Sequence, residues 1–175
     1  MIRSCVRDNI LLLDQGGALI SALDERHYRE PVAACFGSSV GGHTRHVVEH
    51  YDGFFAGLGA SEIDYEARPR DLSVELDRAV ALARLQRAVD RLEKLREDSD
   101  RPVRVRAETA PAESSFPWAH SSLLRELELL LSHTVHHYAL IAITCRLVGF
   151  EPPPDFGVAP STLRHRQTLG AACAR

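Results

Sequence analysis

The stretch from Ser121 to Gly149 constrains the fold of this chain more than any other. It is the longest and most apolar segment with helical spacing, it opens on a serine suited to an N-cap (Ser121 or Ser122), and it stops at a glycine. A helix of that kind has to bury itself against other helices. Three further segments offer partners. The first, from about Arg7 to Asp24, presents Ile10, Leu13, Ile20 and Leu23, with Gly16 and Gly17 weakening its middle. The second opens at Ser38 or Ser39, carries Val47, Phe54, Phe55 and Leu58, and ends near Gly57 or Gly59. The third runs from Leu72 or Ser73 to about Arg96, with Val74, Leu76, Val80, Leu82, Leu85, Val89 and Leu92 at helical intervals. Four long helices joined by loops predict an all-α four-helix bundle.

Between the helices the sequence reads as connection. Residues 27–31, 63–71 and 107–118 read as loops, and Pro102-Val103-Arg104-Val105-Arg106 alternates as a short edge strand does. The proline-rich stretch 151–162 rules out regular helix there, with Phe156 free to pack on the bundle. One bundle domain over 1–165, with a mobile tail over 166–175, is the expected organisation.

Composition excludes several classes of function. With 175 residues, 45% of them hydrophobic, the chain can build one real core. A net charge of -3 and no basic run argue against a nucleic-acid partner. No apolar run approaches the roughly 20 residues that span a bilayer. The first eight residues are too charged for a secretory signal, so a cytoplasmic location is expected. Cys5, Cys35, Cys145 and Cys173 are scattered with no C-x-x-C pair, which suits buried, inert thiols better than a reactive one at Cys35 or Cys145.

The histidines are where chemistry enters. Most fall in two helical stretches, one holding His43, His46 and His50, the other His133, His136 and His137. Residues three, four or seven apart share a helix face, so His43, His46 and His50 form one stripe and His133 stacks one turn from His137. Imidazoles turned toward a core are costly unless something organises them. A divalent metal does so, and zinc, nickel and ferrous iron all accept neutral imidazole nitrogen. The alternative, hydrogen-bonded core or surface histidines, stands about level with it on spacing alone.

The stretch Ser39-Val40-Gly41-Gly42-His43-Thr44-Arg45-His46, followed by His133-Thr134-Val135-His136-His137-Tyr138-Ala139-Leu140-Ile141, resembles the DinB-like (DinB/YfiT) family. The likeness extends to residues 63–71 and 156–162, which resemble a bacterial branch of that family. It implies a four-helix bundle with a three-histidine divalent metal site, and it places the ligands at His46, His133 and His137. The chain departs from the pattern by its surplus: His43, His50 and His136 compete as further ligands or surround the site from outside. His46 and His50 are themselves four apart, so a four-histidine site stays open. His136, about 100° around the helix from His137, suits a hydrogen-bonding role better than ligation. His43 can relay protons or simply start a helix. Glu126, two turns before His133, can orient a ligand or pair with an arginine. Arg45, Arg68 and Arg70 are candidate holders of an anionic substrate, against the alternative that Arg68 and Arg70 pair with Glu66, Asp71 or another carboxylate. Tyr65 and Asp71 share their loop and join the candidate substrate-binding residues.

The resemblance implies a metal-dependent enzyme whose cation acidifies water or a low-molecular-weight thiol. Thiol transfer to a small, anionic substrate leads, and hydrolysis follows closely. A non-catalytic metal- or metabolite-binding bundle acting through a partner is the rival reading, because no G-x-S-x-G, phosphate loop or H-E-x-x-H is present. Pairing as a homodimer fits bundles of this kind.

Overall fold

The computed structural model describes residues 1–106 and 118–173, without the side chains of Gln167 and residues 169–173. Four long helices form the body: α1 (Ile2–Ala22), α3 (Val40–Leu58), α5 (Arg78–Glu93) and α6 (Leu123–Leu147). Helix α1 packs on α5 and α6, and α3 packs on the same two, so α1 and α3 are diagonal partners in a four-helix bundle. The short helices α2 (Glu25–Arg29), α4 (Leu72–Leu76) and α7 (Pro160–Cys173) surround it. Among the described residues, no helix is long and apolar enough to cross a membrane.

The caps follow the chemistry of the sequence. Ser39 accepts a hydrogen bond from the Gly42 N–H at the start of α3, and Ser122 accepts from the Arg125 N–H at the start of α6. Helix α1 runs five residues further toward the N-terminus than its apolar pattern suggests, and it passes straight through Gly16. The reason is tertiary: Tyr138 of α6 packs so closely that a Cβ at Gly16 would lie 1.9 Å from its hydroxyl. The third helix is a correction. It is broken at Asp77, whose extended backbone ends α4 and whose carboxylate caps α5 by accepting from the Ala79 and Val80 N–H groups.

Two loops hold more structure than their polarity indicates. Residues 25–29 form α2, capped by Asp24, which accepts from the His27 N–H. A three-stranded sheet joins β1 (Glu62–Asp64), β2 (Pro102–Arg106) and β3 (Ala119–Ser122). Strand β2 is central, parallel to β1 and antiparallel to β3, not the edge its alternation suggests. Both of its neighbours are only three or four residues long. The expected loop at 107–118 lies outside the described residues except at Trp118. Beyond α6 the chain is irregular to Ala159 and turns helical at Pro160, a residue suited to a first helical position. Phe156 is buried and stacks on Tyr138 at 4.8 Å.

Inside the bundle a small polar network fixes how the helices meet. Asn9 of α1 donates to the carbonyls of Cys5 and Leu127. Its oxygen accepts from the Tyr51 hydroxyl of α3 at 2.7 Å, and Thr134 of α6 lies 3.2 Å from the same hydroxyl. All three residues are buried. Cys5, Cys35 and Cys145 are free and buried. Burial pushes the Cys5 thiol up to about 11 and Cys145 up to about 12, so neither is a nucleophile near neutral pH. Removing the Tyr51 hydroxyl leaves the Asn9 oxygen without its donor in the core. Tyr51→Phe should therefore cost about 1–3 kcal/mol, read as a lower urea midpoint with an unchanged slope.

Candidate metal centre

Tyr51 directly follows His50, and Thr134 directly follows His133. The contact that locks α3 to α6 therefore also sets which histidines face each other. The Nε2 atoms of His46 and His133 lie 3.1 Å apart. The rings of His50 and His133 come within 4.0 Å centre to centre, and His46 lies 4.4 Å from both His50 and His137. His137 is 4.5 Å from His133. One ring nitrogen each from His46, His50 and His133 can be chosen so that all lie within 4.8 Å of one another.

The hydrogen bonds assign the ring protons. Arg68 donates from Nη1 to His46 Nδ1 at 2.8 Å, so neutral His46 carries its proton on Nε2 and donates it to His133 Nε2. His50 donates from Nδ1 to the His46 carbonyl at 2.8 Å. Two nitrogens on one tetrahedral zinc, each about 2.0–2.1 Å away, sit roughly 3.3 Å from each other. The His46–His133 separation is close to that span; a neutral His46 bound through Nε2 would carry its proton on Nδ1, so a cation between the rings would require Arg68 to give up its hydrogen bond there. The donor set fits a borderline divalent ion such as zinc, nickel or iron.

Electrostatics favour the neutral, metal-ready form of these rings. Burial, reinforced by the neighbouring imidazoles, holds His46 down to about 3, His133 to about 2 and His137 to about 3. His43 is lowered as well, again chiefly by burial.

A model of the DinB superfamily matches residues 18–141, a span that contains both histidine stretches. This chain belongs to the DinB superfamily. Its similarity to a curated protein, FK506-binding protein 5 of Rhizopus delemar, is 33% identity over 106 residues. That alignment covers 59% of this chain and only 27% of the relative's length. No solved structure matches.

The other expected residues of this DinB-superfamily chain divide into those at the histidines and those elsewhere. His43 is buried and its Nδ1 lies 3.2 Å from His137 Nδ1, while its Nε2 has no hydrogen-bond partner among the described residues. His136 is exposed and meets only the edge of His137 among the ring contacts. Tyr65 follows β1, stacks on His50 at 5.6 Å and donates its hydroxyl to Glu126 at 2.9 Å. Glu126 also accepts from Ser121. Its carboxylate thus reaches the histidines through Tyr65, in place of the direct ligand contact or arginine partner expected. Arg68 is buried at His46 and also donates to the Tyr65 carbonyl. Arg45 is held by Glu75 of α4 at 2.7 Å. Asp71 caps α4, its carboxylate accepting from Ser73. Arg70 lies between Arg68 and that cap in the left-handed region (φ 50°).

Spacing alone passed over Glu49. It is buried on α3, and one carboxylate oxygen accepts from the Asp71 N–H at 2.8 Å, which anchors the segment carrying Arg68. A charged residue inside the apolar stripe of α3, next to a histidine, was the available signal.

Because the folded pKa values of His46, His133 and His137 lie below the ordinary value near 6.5, the unfolded chain binds protons first as pH falls. The contribution of these rings to stability is complete above about pH 6.5 and is lost progressively toward about pH 3. Metal-free protein should show a urea midpoint that drops through this window, and His133→Gln should flatten the drop.

Proposed function

We propose that this protein is a metal-dependent enzyme of the DinB superfamily, carrying out thiol transfer on a small substrate with an anionic group, or hydrolysis of such a substrate. The observation that carries the reading is the approach of His46 and His133 to 3.1 Å through facing Nε2 atoms, with His50 and His137 beside them. These histidines come from two helices 87 positions apart in the chain at the closest pair. When bound, a divalent ion would supply Lewis-acid activation of a low-molecular-weight thiol or other small nucleophile.

The chain's own residues define the surroundings. The neutral rings leave the ion its full charge, and buried Arg68 adds a fixed positive charge at hydrogen-bond distance from His46. A guanidinium there favours a carboxylate or phosphate on the substrate. Tyr65, held by Glu126, fixes the face of His50.

A second reading has its own support. The imidazoles also satisfy one another, His46 with His133 and His43 with His137, as hydrogen-bonded core groups do. A bundle that binds metal or metabolite and acts through a partner would be built the same way.

Tag-free protein reconstituted with zinc should hold about one ion per chain by elemental analysis, and His133→Ala should lose it. Thiol-transfer and ester or amide panels should then reveal an activity that a chelator removes and added metal restores. Stoichiometric metal with no turnover on any panel would support the non-catalytic reading. No metal uptake would remove the enzyme reading and the metal-binding form of the second.

A further inference from the structure

We propose that the outward face of α6 pairs with the same face of a second copy of this chain, the two helices running antiparallel about a twofold axis near Tyr138. The inference concerns an exposed surface and does not depend on the metal-site reading.

Helix α6 packs on α1 and α3, and its remaining side is turned outward. Along that side stand Leu129, His136, Leu140, Ile143 and Leu147, at intervals of seven, four, three and four. This is the alternating spacing of a seam by which one helix packs on another. Ile143 and Leu147 are 48% and 56% exposed, His136 and Ala139 are exposed as well, and Leu129 and Leu140 are half-buried. A single exposed leucine needs no explanation. A continuous stripe over roughly 27 Å of helix marks an interaction surface.

The segment leading into α3 adds to one end of this stripe. Helices α3 and α6 run antiparallel, since His43 meets His137 and His46 meets His133. The chain before α3 therefore lies toward the C-terminal end of α6. There the turn Ala33–Cys35 packs against α6, and Phe36, directly after it, is 90% exposed in the left-handed region (φ 58°).

Charge selects the occupant. Arg125 and Glu128 are exposed at the N-terminal end of the stripe. Arg146 and Glu151, an ion pair at 3.0 Å, stand at the other end. An antiparallel twofold centred on Tyr138 sets Leu129 against the partner's Leu147 and His136 against the partner's Leu140. It also sets Arg125 opposite the partner's Glu151 and Glu128 beside the partner's Arg146, so each end becomes a cluster of balanced sign. A parallel pair would set each charge against its own copy, and like charges repel. The stripe is complementary to itself in the antiparallel orientation. One helix face is small beside the roughly 800 Å² that each partner gives a standard stable interface, so the pair is expected to form in about the micromolar range. Because His137 directly follows His136, it forms beside the histidine centre.

The test uses the full chain without a tag. In sedimentation from about 1 to about 500 µM, the wild-type mass should rise from one chain toward two. Ile143→Glu and Leu147→Glu, both at exposed positions and each checked by thermal melting, should weaken association about tenfold or more. Oxidative crosslinking in a Cys173→Ser background reads the orientation, since Cys5, Cys35 and Cys145 are buried. Leu129→Cys and Leu147→Cys chains should crosslink to each other when mixed, and neither should crosslink alone. Wild type that stays single at every concentration overturns the proposal, as does a pair that both glutamate variants leave intact. Crosslinks within each variant alone, or none in the mixture, overturn it equally.

Discussion

The hydrogen bonds among Asn9, Tyr51 and Thr134 are the interaction on which the rest of this molecule depends. Apolar helix faces tolerate small slips, because one leucine packs nearly as well as the next. A hydroxyl buried between an amide and a threonine does not, since any slip strands a polar group away from water. The network ties α1, α3 and α6 at one level of the bundle. Each of the two helices that bear the histidines contributes the residue immediately after one of them. A stability device and the placement of a chemical centre are therefore one object. A core of equal volume without the network would keep the bundle and lose the registration.

The centre itself is a compromise between solvation and charge. Several imidazoles packed together in a half-buried space cannot all be protonated, and a nearby guanidinium makes protonation less favourable still. The protein keeps the rings neutral and pairs their nitrogens with one another. Arg68 has two effects here. It fixes the tautomer of His46 and brings positive charge to a place where a cation is also expected.

Much of this was legible in the sequence. The 3.6-residue recurrence of leucine and valine located the four long helices, and Ser39, Ser122 and Gly149 marked their ends, because those signals are local and depend on nearby residues only. The meeting of His46 and His133 was expected from the family likeness, and their Nε2 atoms lie 3.1 Å apart. Asp77 was harder: in a segment already alternating charge, an aspartate that breaks and re-caps the helix looks the same as one that faces water. Strand β2 was recognised as a strand but not as a central one, since its partners are too short to stand out and their pairing is a long-range event. Glu126 and Glu49 posed the same difficulty. A buried carboxylate's partner is decided by tertiary contact, and no spacing along one helix reveals it.

Helix α3 is seated against backbone near both of its ends. A Cβ at Gly41 would fall 2.1 Å from the Glu75 carbonyl oxygen of α4, and one at Gly57 would fall 2.1 Å from the Glu62 carbonyl oxygen of β1. Two such abutments, one near each end of the helix, act as a rotational stop. The angular setting of the whole imidazole stripe is thus governed by two positions that carry no side chain at all. Attempts to retune the centre by exchanging its ligands would inherit that bearing unchanged, whereas one added methyl group at either glycine would turn every ligand on the helix at once.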